Sequence, residues 1–73
     1  MKFKINDYIR SPSGTILKIH EVKNKCYYYS ILKNSNGIWK ERENTYIYAI
    51  PEIDRIYKLD VVLNSSLWKA MND

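Results

Sequence analysis

The chain predicts a mainly β, antiparallel domain of short strands, closed as a small barrel or sandwich. Three observations predict it. Turn-forming clusters punctuate the chain at SPSG (11–14), KNK (23–25), NSNG (34–37) and IPEID (50–54), a spacing of roughly ten residues that suits such folds. The runs between them are rich in Ile, Val, Tyr and Thr, side chains that fit a pleated surface. At 73 residues there is room for one domain only.

The first strand covers Tyr8–Arg10, preceded by Phe3 and Ile5 at alternating positions. In SPSG, Pro12 presets φ and Gly14 accepts a positive φ, so a tight turn follows. The second strand covers Thr15–Lys23. Its residues Ile16, Ile19 and Val22 are three apart, which breaks simple alternation and predicts a bulge or sharp bend. The third strand, Cys26–Lys33, places Tyr27, Tyr29 and Ile31 on one face and Cys26, Tyr28, Ser30 and Leu32 on the other. Asn36-Gly37 is the strongest short hairpin signal and leads into a fourth strand from Ile38 to about Glu43. TYIYAI (45–50) extends the same sheet. PEID reads as one helical turn with Pro51 at its first position. RIYKL (55–59) is then a fifth strand that returns to pair with the first.

The tail, 61–73, breaks the pattern. Ser65 or Ser66 caps a short helix on which Leu67, Trp68 and Met71 share a face. So short a helix is marginal alone and needs a surface to pack on.

Together INDYIRSPSGTILKI, YYYSILKNSNGIW and IPEIDRIYKL resemble the SH3-like small barrels, in particular the KOW and Tudor-like branch. The resemblance covers about residues 3–59 and implies a five-stranded barrel with a one-turn helix before the last strand; the chain then divides into a barrel over 1–60 and a tail with a short C-terminal helix over 61–73. The stretch from Trp39 to Pro51 is longer than a minimal barrel needs, and the Trp68 tail lies outside the pattern. Relatives of this kind mostly bind RNA, DNA, proline-rich peptides or methylated side chains, although fold alone does not fix function.

Composition narrows the chemistry. Hydrophobic residues are 45% of the chain, enough for a globular core and against disorder. One cysteine, Cys26, allows no internal disulfide, and MKFKIND has no apolar leader core. No run approaches the roughly 20 apolar residues of a membrane span. The expectation is a cytoplasmic protein with no membrane partner. One His and one Cys do not build a zinc site, which takes four such ligands in its structural form. A nucleophilic Cys26 needs a base, and His20 across the hairpin is the one candidate, with no orienting acid to support it. With two glycines there is no phosphate cradle. The expectation is a non-enzymatic module with no metal and no cofactor.

The formal net charge of +4 is uneven. Residues 1–42 carry nine Lys or Arg against three Asp or Glu, and residues 43–73 carry three against five. The chain has seven Tyr, two Trp and one Phe, and KCYYYSILK and IWKERENTYIY interleave aromatic residues with cations. Aromatic faces stack on bases while Lys and Arg hold phosphates. The same mixture marks protein interfaces, and Tyr is also an ordinary strand residue with a wet hydroxyl. Three consecutive tyrosines cannot all face one core, so Tyr28, or the Tyr27 and Tyr29 pair, points away from it. Arg10, Lys33, Lys40 and Arg42 are expected to form a basic stripe at one end of the barrel. Lys18, Tyr28, Trp39 and Tyr46 join them as candidate contacts, though Trp39 also suits a core lid, and Tyr46 with Tyr48 shares a face with Ile50, which places one or both in the core.

Two readings follow with equal weight. In the first the module binds nucleic acid, RNA or DNA, through the basic, Tyr-rich surface. In the second it binds a protein through the tail residues Leu67, Trp68 and Met71 and the Tyr face. The small size and Lys/Asn/Ile/Tyr-rich composition then suit a phage or mobile-element inhibitor that occludes a host nucleic-acid-handling defence enzyme. A homo-oligomer with edge-to-edge Tyr strands is a third, lesser reading.

Overall fold

The computed structural model describes residues 1–72; Asp73, the last residue of the expected tail, lies outside them. Six strands and two short helices follow in the order β1 (Tyr8–Arg10), β2 (Ile16–Lys23), β3 (Cys26–Ser35), β4 (Ile38–Glu41), β5 (Tyr46–Ala49), α1 (Ile50–Ile56), β6 (Lys58–Leu59) and α2 (Ser66–Asn72). All pairings are antiparallel. The sheet order is β4-β3-β2-β1-β6, with β5 beside β3 as well.

This corrects the expected five-stranded barrel in number and in closure. The sheet is an open path, because β4 and β6 lie at opposite ends and do not pair. The sixth strand arises because β3 is ten residues long and its outer edge is shared. Leu32–Ser35 pair with β4, while Cys26–Tyr29 pair with β5. The fourth strand therefore stops at Glu41, and YIYA forms a strand of its own. The expected single helical turn is seven residues long, with Pro51 its second residue. It absorbs Arg55 and Ile56, so the closing strand shrinks to Lys58–Leu59, which pairs with β1 as expected.

Three hairpin turns follow from local chemistry. Asn36 and Gly37 have φ of 53° and 81°, the two positive values of a type I′ loop. Asn24 and Lys25 do the same at 53° and 61°, although lysine has a Cβ to accommodate there. Between β1 and β2, the Gly14 N–H donates to the Ser11 carbonyl at 3.0 Å with Gly14 at φ 91°.

The expected bend in β2 is a bulge at His20. Ile19 stands opposite Tyr29 and Glu21 opposite Tyr28, so His20 is the extra residue. It returns Val22 to the face of Leu17 and Ile19. Ile16, grouped with Ile19 and Val22 by spacing, lies instead on the opposite face.

Both sheet faces are covered. On the first face Ile9, Leu17, Ile19 and Tyr27 pack against Phe3 from the N-terminal segment and Ile53 from α1. On the second face Tyr8, Ile16 and Leu32 pack against Leu63, with Trp39 and Trp68 at the margin. Full burial of such side chains is worth about 1.5–3 kcal/mol each, so both layers contribute to stability. The N-terminal segment is strapped down by the buried Tyr27 hydroxyl, which donates to Asp54 at 2.6 Å and accepts from the Phe3 N–H at 3.1 Å. Those contacts also set the Asp54 pKa. Burial raises it, but the bonds from Tyr27 and the Lys2 N–H outweigh burial and hold the carboxyl below its ordinary range.

The tail is stitched to β1 by one side chain. Asn64 Oδ1 accepts from the Tyr8 N–H at 2.9 Å, and its Nδ2 donates to the Tyr8 carbonyl at 2.6 Å. The amide thus acts as one more rung of the β1–β6 ladder. Ser65 Oγ accepts from the Trp68 N–H at 3.2 Å, the expected cap of α2. Among the described residues no helix is long and apolar enough to cross a membrane.

Candidate nucleic-acid interface

Strand alternation sorts the candidate residues onto the two faces. On the first face, beyond the core, β3 presents Tyr29, Ile31 and Lys33 in sequence. Tyr46 stands opposite Tyr29 and Lys40 opposite Lys33. Between them the Arg42 N–H donates to the Ile31 carbonyl at 2.9 Å, which continues the ladder and keeps Arg42 in step with Lys40. Lys33, Lys40, Arg42 and Tyr46 therefore share one face and are exposed. The Tyr29 and Tyr46 rings stack with centroids 5.9 Å apart at 28°. Tyr48 is 52% exposed next to them, so neither Tyr46 nor Tyr48 is core.

The electrostatics of this patch are unusual. Lys33 and Lys40 are direct cross-strand partners, and like charges so placed repel at a Cβ separation of about 4.5–5.5 Å. Among the described residues no carboxylate lies within 4.0 Å of Lys33, Lys40 or Arg42.

The other candidates are engaged elsewhere. Arg10 lies two strands from β3, on the second face, with Nε 3.3 Å from the buried Asp60 carboxylate. The expected stripe of four cations is thus three, because Asp60 holds Arg10 against the β1–β6 end. Lys18 Nζ sits 5.5 Å from the Tyr8 ring centroid, and Lys69 Nζ 5.8 Å from it. Tyr28 is half-buried under Lys23 Nζ at 5.1 Å. Trp39 is half-buried against the Leu32 cluster, the lid role. Trp68 meets Tyr8 edge-on at 5.2 Å, whereas Leu67 and Met71 are 74% and 76% exposed.

The second face also gathers His20, Ser30 and Glu41. His20 Nε2 is 2.6 Å from Ser30 Oγ and 2.5 Å from Glu41 Oε1, and the Ser30 hydroxyl donates to Glu41. A nucleophilic relay uses both imidazole nitrogens, one for the hydroxyl and one for the acid. Here a single nitrogen faces both oxygens and the serine proton points to the carboxylate. The trio is a polar tie across three strands. Burial raises the Glu41 pKa, but the Ser30 bond and the His20 and Lys18 charges outweigh it and hold the carboxyl below its ordinary range. His20 thus turns to Ser30 and Glu41, and Cys26 stands opposite Lys23, so the cross-hairpin pair is not formed.

Tyr29, Tyr48 and Tyr57 are not among the candidate contacts read from the sequence, and the structure brings them together around one cleft. The alternation Tyr46–Tyr48 carried part of that signal; Tyr57 joins only because α1 folds back over β3 and β5. No protein-family model, curated protein or solved structure matches this chain.

Proposed function

We propose that the protein binds single-stranded nucleic acid, RNA or DNA, along the first face of β3, β4 and β5. The Lys33–Lys40 pair carries this reading. Two lysines set opposite each other without an acid cost the fold stability, and a phosphate between them reverses the sign of that interaction. Arg42 extends the positive track, and the Tyr29–Tyr46 stack and Tyr48 offer aromatic faces at its end, the combination that holds single strands. The same reading takes the curled sheet as a variant of the SH3-like barrel, supported by the run of bent strand, Asn-Gly hairpin, helix and short closing strand.

Fluorescence anisotropy with a labelled single-stranded homopolymer tests it. Three phosphate contacts give a slope of log K against log salt of about −2, and each Lys→Gln change makes it shallower by about 0.7. Lys40→Glu separates binding from folding. It replaces a repulsive cross-strand pair by an attractive one, so stability rises by about 0.2–1 kcal/mol while binding falls. Absence of binding at low salt, or binding indifferent to salt, removes the proposal.

A second reading rests on the tail, where Val61, Val62, Leu67 and Met71 are 85%, 67%, 74% and 76% exposed. These residues suit an apolar protein partner, a host enzyme on the inhibitor reading. Nuclease-treated affinity capture that recovers a stoichiometric protein, and loses it on Leu67→Lys, favours this alternative.

A further inference from the structure

The cleft beside the stacked tyrosines has a volume of about 260 Å³. Tyr29, Tyr48 and Tyr57 line it, with Ser13 and Thr15 from the first turn and Glu52 from α1. It opens on the same sheet face as Lys33, Lys40 and Arg42, and shares Tyr29 and Tyr48 with the aromatic end of that track. An apolar cavity of about 150 Å³ already admits benzene, so a planar heterocycle has room here.

Ser11 and Ser13 bond each other at the cleft's edge, and the remaining polar groups are largely unused by the fold. Among the described residues the hydroxyls of Tyr29, Tyr48 and Tyr57 make no hydrogen bond, in contrast to that of Tyr27. Burial raises the pKa of Tyr29 and Tyr57, with neighbouring tyrosines adding to the effect at Tyr29, so both stay protonated donors. Glu52 gives one oxygen, Oε2, to Arg55 at 2.6 Å and leaves Oε1 without a protein partner among the described residues. An ionised carboxylate accepts hydrogen bonds and donates none.

We propose that this cleft takes one unstacked base of the bound strand and selects bases that carry an exocyclic amino group, with Glu52 as the acceptor. The inference rests on the proposed nucleic-acid reading and adds base preference to it. Cytosine offers an N4 amino group to the carboxylate, whereas thymine and uracil turn the O4 acceptor toward it. The tyrosine rings give affinity without discrimination, because every base has a π-face.

The test compares labelled oligo-dC and oligo-dT of equal length, at one salt concentration, on the intact chain. The expected result is about tenfold tighter binding of oligo-dC, the lower part of the range for one well-made base contact. Glu52→Gln supplies an amide that donates as well as accepts, so the ratio collapses toward one. Far-ultraviolet circular dichroism of the variant checks that the fold is kept. Equal affinity of the wild type for both oligomers, or a preference for oligo-dT, overturns this inference and leaves the general reading standing. A dC preference that survives Glu52→Gln overturns the role of Glu52. Failure to bind either oligomer overturns the inference and the reading beneath it.

Discussion

Replacing Asn64 by alanine removes a side chain that stands in for a strand. Its amide takes both backbone groups of Tyr8, at 2.9 Å and 2.6 Å, and Nδ2 also reaches the Asp60 carbonyl at 2.6 Å. Each such bond is worth about 0.5–1.5 kcal/mol net; the Tyr8 and Asp60 carbonyls keep the backbone N–H groups of Asp60 and Asn64, whereas the Tyr8 N–H is left without its partner, which costs more. Because the site is half-buried, water repairs part of the loss. The expected destabilisation is about 2–3 kcal/mol, set against roughly 4–11 kcal/mol for a domain of this size. The midpoint of thermal unfolding then falls by about 10–20 °C. Urea unfolding followed by circular dichroism measures the change directly, with the slope against denaturant unaltered. Asn64→Asp keeps the acceptor for the Tyr8 N–H but turns a carboxylate toward two carbonyl oxygens, so it is at least as damaging. Asn44→Ala, at an exposed position, stays within about 0.5 kcal/mol of wild type. A loss below about 1 kcal/mol at Asn64 refutes the view that this amide completes the β1 ladder.

Lys25→Gly relieves a side chain held at φ 61° in the β2–β3 loop. The left-handed conformation costs about 1–2 kcal/mol, offset by glycine's greater freedom when unfolded, so a net gain of about 0.5–1 kcal/mol in urea is expected; no gain means that the loop carries no strain. The folded-state pKa of Glu41 lies below its ordinary 4.5. Its stabilising contribution is therefore complete above that value and disappears as pH falls through the lower, folded value. Glu41→Gln flattens the acid limb of stability against pH without abolishing it, because Asp54 is lowered too. An unchanged acid limb shows that the tie to Ser30 and His20 contributes nothing.

The turns and the alternation of β3 were legible from the residues because both signals are local. Asn36-Gly37 meets the positive φ of its loop wherever it is placed, and successive strand side chains alternate whatever covers them. The face assignment of Tyr27, Tyr29 and Ile31 against Tyr28, Ser30 and Leu32 follows from that period alone. Of the candidate contacts, Lys33, Lys40 and Arg42 fall together by the same rule, carried across the Asn-Gly hairpin.

What lies over each face was decided only in three dimensions. Phe3 and Ile53 are fifty residues apart and meet on one side of the sheet; Leu63 and Trp68 come from the far end of the chain to cover the other. That second layer takes up Trp39 and Trp68, and Asp60 beside it holds Arg10. No local pattern reports these meetings, since each residue's period is unchanged by its cover. The division of the β3 edge between β4 and β5 is likewise a competition for one row of backbone groups, resolved by the length of β3 and the reach of the chain between Arg42 and Thr45. The residue types and turns determined strands, hairpins and a basic, tyrosine-rich composition. Packing between distant segments decided which of those cations and rings remain on the surface, because burial belongs to the whole chain.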